Sequence, residues 1–483
     1  MKGDDAGFDA TSSSRSDATL DVLFRASAAK TPNALALIDP PDIEAVTGKA
    51  PQNLTFAQAD ERIGALARLL REIGIPEGGT VAIQLPNNAD SVIALLAVAR
   101  AGLVPALLPL LWRRAECAAA LSRAHAKAIL CCGSVGDFDH GQLALEIAAE
   151  VFPIRAVCGF GPGLADGIVP IEIATASIAS AGAPDFFPDT AAITFDTDAD
   201  GPLPVEREAV KLLATGLLIG RLAGITRGAR LLSTIPISSY AGMSAALIPW
   251  LVSGGTLAFH HPFSPDLLSR QIEASDIVVV PDAVAARLSV GGKFGSHLHS
   301  VISLCRSPER FASGPTWQQP ELPLVDVAAF GEMALLAVQR PTDGDPAPWP
   351  RHVRSADGDS EIAQAFVTPT GTLGISGTLA AKSATWPESD TGYPCRMDQD
   401  GIVVTAAPAG FVNVGGYRFA MRDLQHAIRT IEGGGLLAPL PHSLTGHRLA
   451  GHAADPQTMR QTLKEFGLGP LVTGAFRDPP PLV

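Results

Sequence analysis

Zinc-binding cysteine pairs, an apolar leader, a membrane-length hydrophobic run and a hydrolase nucleophile elbow are all missing from this 483-residue chain. Its six cysteines (Cys117, Cys131, Cys132, Cys158, Cys305 and Cys395) form no CxxC pair and lie mostly within apolar runs. A zinc ribbon and a disulfide framework are excluded, and buried free thiols in a reducing compartment are expected. Positive charge is scarce, with 36 Lys and Arg against 49 Asp and Glu, giving a net charge of −13. That balance argues against nucleic acid or an anionic membrane as main partner. The polar, acidic start MKGDDAGFDATSSSRSD has no apolar stretch of the kind a secretory signal needs. The longest apolar run, 245–259, is broken by Pro249, Gly254 and Gly255, so no membrane span is expected. No Gly-x-Ser-x-Gly turn and no internal repeat is present. A cytoplasmic protein is the expectation.

What is present is ample core. Hydrophobic residues make up 47% and charged residues 18% of a chain too long for one core, which predicts two or more globular domains. Residues 1–18 are polar enough to be disordered. Near Leu54 a helix begins: Thr55 with Gln58 matches a capping box, and Ala59, Ile63, Leu66, Leu70 and Ile73 fall on one face before Gly74. Strands are expected at 80–85, 128–132, 231–235, 256–259 and 277–280, with helices at 91–100, 208–222, 242–252 and 265–274 between them. This alternation predicts parallel strands with crossover helices, an α/β fold. A Pro/Asp/Gly-rich stretch at 341–360 precedes shorter β-like pieces. A domain boundary is expected near Thr391 to Pro394, and the tail after Gly469 is expected to be irregular.

The segment 191–205, AAITFDTDADGPLPV, begins as a strand and is soon followed by a helix. A strand–loop–helix is where glycines, backbone N–H groups and a lysine often cradle phosphate. Here the expected loop, 196–204, carries Asp196, Thr197, Asp198, Asp200 and Gly201, with two prolines and no lysine. A phosphate brought there would meet negative charge. Two readings stay open: an acidic surface loop, or aspartates that bind Mg²⁺ and bridge to phosphate. The histidines His260, His261, His297 and His299 lack a Cys or carboxylate partner at ligand spacing, so no metal site is expected.

From about Leu20 to Ile431 the chain resembles the adenylate-forming superfamily of acyl-CoA synthetases, peptide-synthetase adenylation domains and luciferases. The resemblance is carried by LTFAQADERIGALARLLREIGIPEGGTVAIQLPNNADSVIALLAVARAGLVPALL, by SSYAGMSAALIPWLVSGGTLAFHHPFSPDLLSRQIEASDIVVVPDAVAARL, and by DTGYPCRMDQDGIVVTAAPAGFVNVGGYRFAMRDLQHAI. It implies a large N-terminal domain of mostly parallel sheets covered by helices (residues 19–393) and a small, reduced α+β lid (394–483). It also implies ATP-driven activation of a carboxylate to an acyl-adenylate, followed by transfer to a thiol such as coenzyme A.

The departures all fall on the nucleotide. The place of the phosphate loop is taken by the acidic segment. The family's aromatic-Gly-x-Thr-Glu turn is represented by Phe330-Gly331-Glu332-Met333-Ala334, in which Phe330 keeps an aromatic face for a flat ligand and Glu332 is expected as a solvated turn residue, with a displaced carboxylate as the alternative. The ribose-binding aspartate is replaced by Tyr393. Ala407 stands at the arginine position, Ala409 at the hinge carboxylate, and Asn413 at the lysine before the lid motif Gly415-Gly416-Tyr417-Arg418. The only lysine after Gly416 is Lys464, outside any Gly-Lys context. Five losses serving one nucleotide imply a fold kept without its chemistry, with no catalytic residue and no ATP, Mg²⁺ or coenzyme A requirement. The expected function is binding of an acyl or aryl carboxylate, an acyl thioester or an acyl-carrier partner in an apolar pocket at Tyr240, Met243, Phe330, Gly331 and Glu332. The alternatives are an active acid–thiol ligase with an atypical nucleotide site, for which ATP, Mg²⁺ and coenzyme A are required, and a structural subunit of a biosynthetic complex.

Overall fold

The computed structural model describes residues 19–176, 182, 186–292, 294–295, 297–381, 390–431 and 434–477. The expected disordered segment 1–18 and the residues after 477 lie outside that set. Two large sheets dominate. One has seven strands in the order Gly201–Glu208, Thr190–Asp198, Val104–Leu107, Thr80–Gln84, Ala128–Cys132, Ala156–Phe160, Val169–Pro170. All its pairings are parallel except the edge hairpin Thr190–Asp198/Gly201–Glu208. The other has eight strands, and its central run Leu324–Phe330, Ser300–Cys305, Ile277–Pro281, Arg230–Ser233, Thr256–Phe259, Leu35–Ile38 is parallel throughout. Strands such as Ile277–Pro281 (IVVVP) are β-branched and buried on both faces, as a parallel sheet between helix layers requires. The mixed α/β fold expected from alternation is the fold observed.

The helix Ala89–Arg100, buried along nearly its whole length, belongs to the main core together with a cluster of Phe24, Phe56 and Trp250 whose rings lie 5.7–6.2 Å apart. The helix Phe56–Glu72 starts at the expected capping box: Gln58 N–H donates to Thr55 Oγ1 at 3.2 Å, and Thr55 N–H to Gln58 Oε1 at 2.9 Å. The helix expected at 242–252 contains a π turn, Met243–Leu247, ahead of Pro249. A proline clashes with the carbonyl four residues earlier, and the wider turn relieves that clash.

Three expectations are corrected. The segment 196–204 is no loop: Asp196, Thr197 and Asp198 continue one strand, the partner strand starts at Gly201, and only Ala199 and Asp200 form the turn. Pro202 and Pro204 are tolerated because this strand is the sheet edge. The positions 391–394 lie inside the strand Asp390–Met397, part of a five-stranded antiparallel sheet that ends with Ile402–Val404. The chain passes to a separate four-stranded antiparallel sheet only at Phe411–Val414. Past Gly469 the chain forms a short helix, Pro470–Thr473. No helix among the described residues is long and apolar enough to cross a membrane.

Asp39 offers a stability test within this core. It accepts the N–H groups of Ala89 (2.7 Å) and Gln52 (3.0 Å), yet burial pushes its pKa from 3.8 up to about 6. A carboxyl raised on folding binds a proton in the native state first, so stability is full below pH 4 and falls as pH rises toward 6. The loss at neutral pH is about 3 kcal/mol. In Asp39→Asn the thermal midpoint is expected to lose this slope between pH 4 and 6; an unchanged slope would assign it to another group.

Candidate functional site

The site is built on the turn Phe330 to Met333, which links the last parallel strand, Leu324–Phe330, to the antiparallel strand Ala334–Gln339. Gly331 sits at φ +59°, and a β-carbon there would overlap the Asp196 carboxylate, so glycine is required on both counts. Asp196 is itself buried. It accepts the N–H of Glu332 at 2.9 Å and of Thr197 at 2.7 Å, and it pairs with Arg418 Nη1 at 3.2 and 3.3 Å. Thr197 Oγ1 donates to the Arg418 carbonyl at 3.0 Å. The arginine comes from the strand Tyr417–Ala420 of the small C-terminal sheet and lies over the Phe411 ring at 4.3 Å. Asp198 pairs with Arg123 at 2.8 Å, leaving Asp200 exposed at the hairpin tip beside Gly201. The acidic-surface-loop reading is thereby corrected: two of the three carboxylates face arginines, and one of those pairs is buried.

Glu332 accepts from the Tyr240 N–H at 2.7 Å and from Arg207 Nη2 at 3.1 Å. Burial pushes its carboxyl up, against the pull of Arg207. Arg207, a residue that sequence reasoning passed over, donates to Thr194 Oγ1 at 2.6 Å and lies 4.2 Å over the Tyr240 ring. Its signal was the alternation Val205-Glu206-Arg207-Glu208, which turns a charged residue to the inner face with Val205. Tyr240 shares a hydrogen bond with Thr215 Oγ1 at 2.8 Å, and Met243 is fully buried. The rings of Phe330 and Tyr393 form a T-shaped pair, with centroids 5.4 Å apart and planes at 82°. Tyr393 in turn accepts from Asn413 Nδ2 at 2.9 Å, and the same amide donates to the Arg306 carbonyl.

The structure thus gathers Asp196, Thr197, Gly331, Glu332, Gly416, Tyr417 and Arg418 around one space, but that space is about 50 Å³. Small-molecule pockets are about 300–1,000 Å³. Of the five residues expected to line an apolar pocket, Gly331 and Glu332 border this 50 Å³ space, while Tyr240, Met243 and Phe330 are buried and border neither it nor the larger cavity below. Gly416 has its φ at +95° in the two-residue turn of the lid hairpin, and a β-carbon on it would overlap the Arg306 guanidinium. Ala407 and Ala409 lie between the two C-terminal sheets and contribute no polar side chain. Lys464 is on the helix Pro456–Glu465, which lines neither of the two larger cavities.

The two carboxylates at the turn, Asp196 and Glu332, each already have an arginine partner. Among the described residues no group of three His, Cys, Asp or Glu side chains is placed to hold a metal. His260 has both ring nitrogens engaged, by Gln271 and by the Ser264 N–H.

A larger cavity, about 730 Å³, lies beside this site. It is bounded by the carboxyl ends of the parallel strands, by the helix Asp282–Val290, and by the lid turn Ser443 to Gly446. Arg306 borders both spaces.

Residues 24–158 match the family of AMP-binding enzymes. The salicyl-AMP ligase / salicyl-S-ArCP synthetase of Mycobacterium tuberculosis is 30% identical over 139 residues, 29% of this chain and 24% of that protein. The vibriobactin-specific 2,3-dihydroxybenzoate-AMP ligase of Vibrio cholerae is 34% identical over 133 residues, 28% of this chain and 23% of that one. The matching stretch therefore spans about a quarter of these curated relatives. The amide bond synthetase McbA of Marinactinospora thermotolerans superposes with a TM-score of 0.69 at 18% identity, covering 93% of this chain and 94% of its own. Mycobacterium smegmatis MbtA gives 0.68 at 19%, covering 94% and 90%. The sequence match stops before the acidic hairpin, while the fold continues through it. The likeness to AMP-binding enzymes thus lies in residues 24–158, and the chain as a whole has the fold of these two solved structures.

Proposed function

We propose that this protein is a non-adenylating member of the adenylate-forming superfamily, a binder of an acyl or aryl carboxylate, an acyl thioester or an acyl-carrier partner. The observation that carries the reading is the Asp196–Arg418 pair. Where a triphosphate would need a cradle of donors, the chain places a carboxylate and then covers it with an arginine from its own lid. Each lost contact to a developing charge removes about 3–4 kcal/mol of transition-state stabilisation. Here the lysine, the metal-binding carboxylate and the ribose ligand are lost together. ATP, Mg²⁺ and coenzyme A are accordingly not required on this reading.

The structural-subunit alternative draws its support from the filled space at Tyr240, Met243 and Phe330. Against it stands the 730 Å³ cavity, a volume that a purely structural protein has no reason to keep open. The ligase alternative makes the opposite prediction about nucleotide. Calorimetric titration with MgATP is expected to show no heat of binding up to millimolar ATP. Pyrophosphate release with salicylate, 2,3-dihydroxybenzoate, acetate and a fatty acid is expected to stay at background. Micromolar MgATP affinity, or release above background with any of these acids, would overturn the reading.

A further inference from the structure

The helix Arg114–Arg123 of the large unit begins without a local cap. Its N-cap residue is Arg113, whose guanidinium has donors and no acceptor, so the N–H groups of the first turn need partners from elsewhere. They find them in the lid. The Gly467 carbonyl accepts the Ala115 N–H at 3.0 Å. Arg114 Nη2 donates to the Glu465 carbonyl at 3.1 Å. Glu116 divides its carboxylate between the two units: Oε2 accepts the Arg113 N–H at 3.0 Å, and Oε1 accepts the Gly469 N–H at 3.0 Å. Alternate residues of the lid segment 465–469 thus meet the helix through their backbone. Gly467 and Gly469 are buried there, while Phe466 between the first two contacts is exposed.

The two glycines have different reasons. Gly467, at φ +78°, closes the helix Pro456–Glu465: its N–H donates to the Lys464 carbonyl at 2.8 Å, and the Leu468 N–H to the Leu463 carbonyl at 3.0 Å. The lid's own fold accounts for it. Gly469 sits at φ −68° and ψ 163°, an extended conformation open to any residue. What excludes a side chain there is the large unit. A β-carbon on Gly469 would lie 2.8 Å from the Leu111 carbonyl oxygen and 3.2 Å from Glu116 Oε1. Gly469 is therefore a glycine that only the docked lid requires.

Both sides of this contact are firmly mounted. In the lid, the segment runs between Leu463 and Val472, which are buried in the lid core, and Leu468 packs against that core. In the large unit, the backbone of Leu111 also hydrogen-bonds the Tyr417 side chain of the lid hairpin, and the Trp112 ring lies 5.7 Å from Phe195. The stretch 111–116 is gripped by two separate parts of the lid.

We propose that the segment 465–469 is a strap that fastens the lid by capping the helix Arg114–Arg123, and that it acts independently of the Asp196–Arg418 pair, so that the lid moves only when both fasteners are open. The strap concerns how the lid is held and stands whether or not the chain adenylates; pyrophosphate release would overturn the non-adenylating reading and leave the strap in place.

The amides at 115 and 469 have their acceptors across the junction, so their hydrogen exchange in the full-length protein reads the strap directly. Gly469→Ala suits the extended backbone of the lid and obstructs only the docked contact. It is expected to speed exchange at both amides by about tenfold, while the lid strands Leu436–His442 and Gly446–His452 keep their protection. Glu116→Ala makes the same test from the large unit without altering the lid: exchange at 469 is expected to rise, and Glu116→Gln, which keeps an acceptor, to return most of the loss. Arg418→Ala is expected to leave the amides at 115 and 469 protected. Exchange at 115 that is equally fast in wild type and Gly469→Ala would show that no strap holds the helix. Protection lost at 115 and 469 as fully in Arg418→Ala as in Gly469→Ala would show one fastener rather than two. Either result would overturn the proposal.

Discussion

Arg418→Ala is expected to loosen the lid on the large unit and to cost about 3 kcal/mol, because it leaves the buried Asp196 without the one ion-pair partner it has among the described residues. The loss is expected to be local. Hydrogen exchange in the lid strands Phe411–Val414 and Tyr417–Ala420 should accelerate, while Ile277–Pro281 and Ser300–Cys305 keep their protection. Asp196→Asn/Arg418→Met, which removes both charges and keeps the volume, should recover most of the loss, since a buried pair replaced as a unit is close to neutral. Equal protection of the lid in wild type and Arg418→Ala would show that the pair holds nothing. In the wild type the lid is expected in one orientation. Two well-populated orientations differing by a large rotation would revive the ligase reading.

The second large effect belongs to Arg207. Replacing it with methionine keeps much of the packing over Tyr240 but takes the paired cation off the Glu332 carboxylate, which keeps the Tyr240 N–H and the Thr194 hydroxyl. A loss of about 3–5 kcal/mol is expected at pH 8. The sign with pH follows from the direction of the shift. Burial already raises the Glu332 carboxyl, and without Arg207 it rises further. A carboxyl raised on folding contributes stability at low pH that disappears as pH climbs through its folded value, so Arg207→Met should be closest to wild type in acid and furthest from it in base. Arg207→Met/Glu332→Gln keeps the acceptor for Tyr240, removes the charge and should flatten that difference. Thermal unfolding of the three proteins from pH 5 to pH 8 decides it; a loss independent of pH would mean that Arg207 acts by packing alone.

Local rules carried the parallel core. A capped, one-faced helix such as Phe56–Glu72 and a β-branched run such as Ile277–Pro281 declare themselves over a few residues, and their order fixed the fold class. The acidic hairpin was misread for a physical reason. Two prolines and three aspartates are turn formers, and their tolerance in a strand depends on that strand being at a sheet edge, which no window of sequence contains. The inward alternation of Leu203, Val205 and Arg207 was the contrary signal. The core of the site was less legible still. Asp196 and Arg418 are separated by 222 positions, and nothing near either residue announces the other. Tyr240 and Phe330 were legible as apolar. That they fill their own space, while a cavity opens beside them at Arg306, depends on three-dimensional packing.

On the non-adenylating reading proposed above, the lid arginine over Asp196 also acts as a tethered competitor. A nucleotide approaching this turn would meet a guest already in place, one whose local concentration does not fall when the protein is diluted. If opening that contact requires about 3 kcal/mol, only about one molecule in a hundred is receptive at any moment, and every apparent affinity for the old site is weakened by the same factor. Restoring a lysine or a threonine to the hairpin would therefore return little by itself. The order of repair matters: the incumbent must be evicted before any regained donor can be felt.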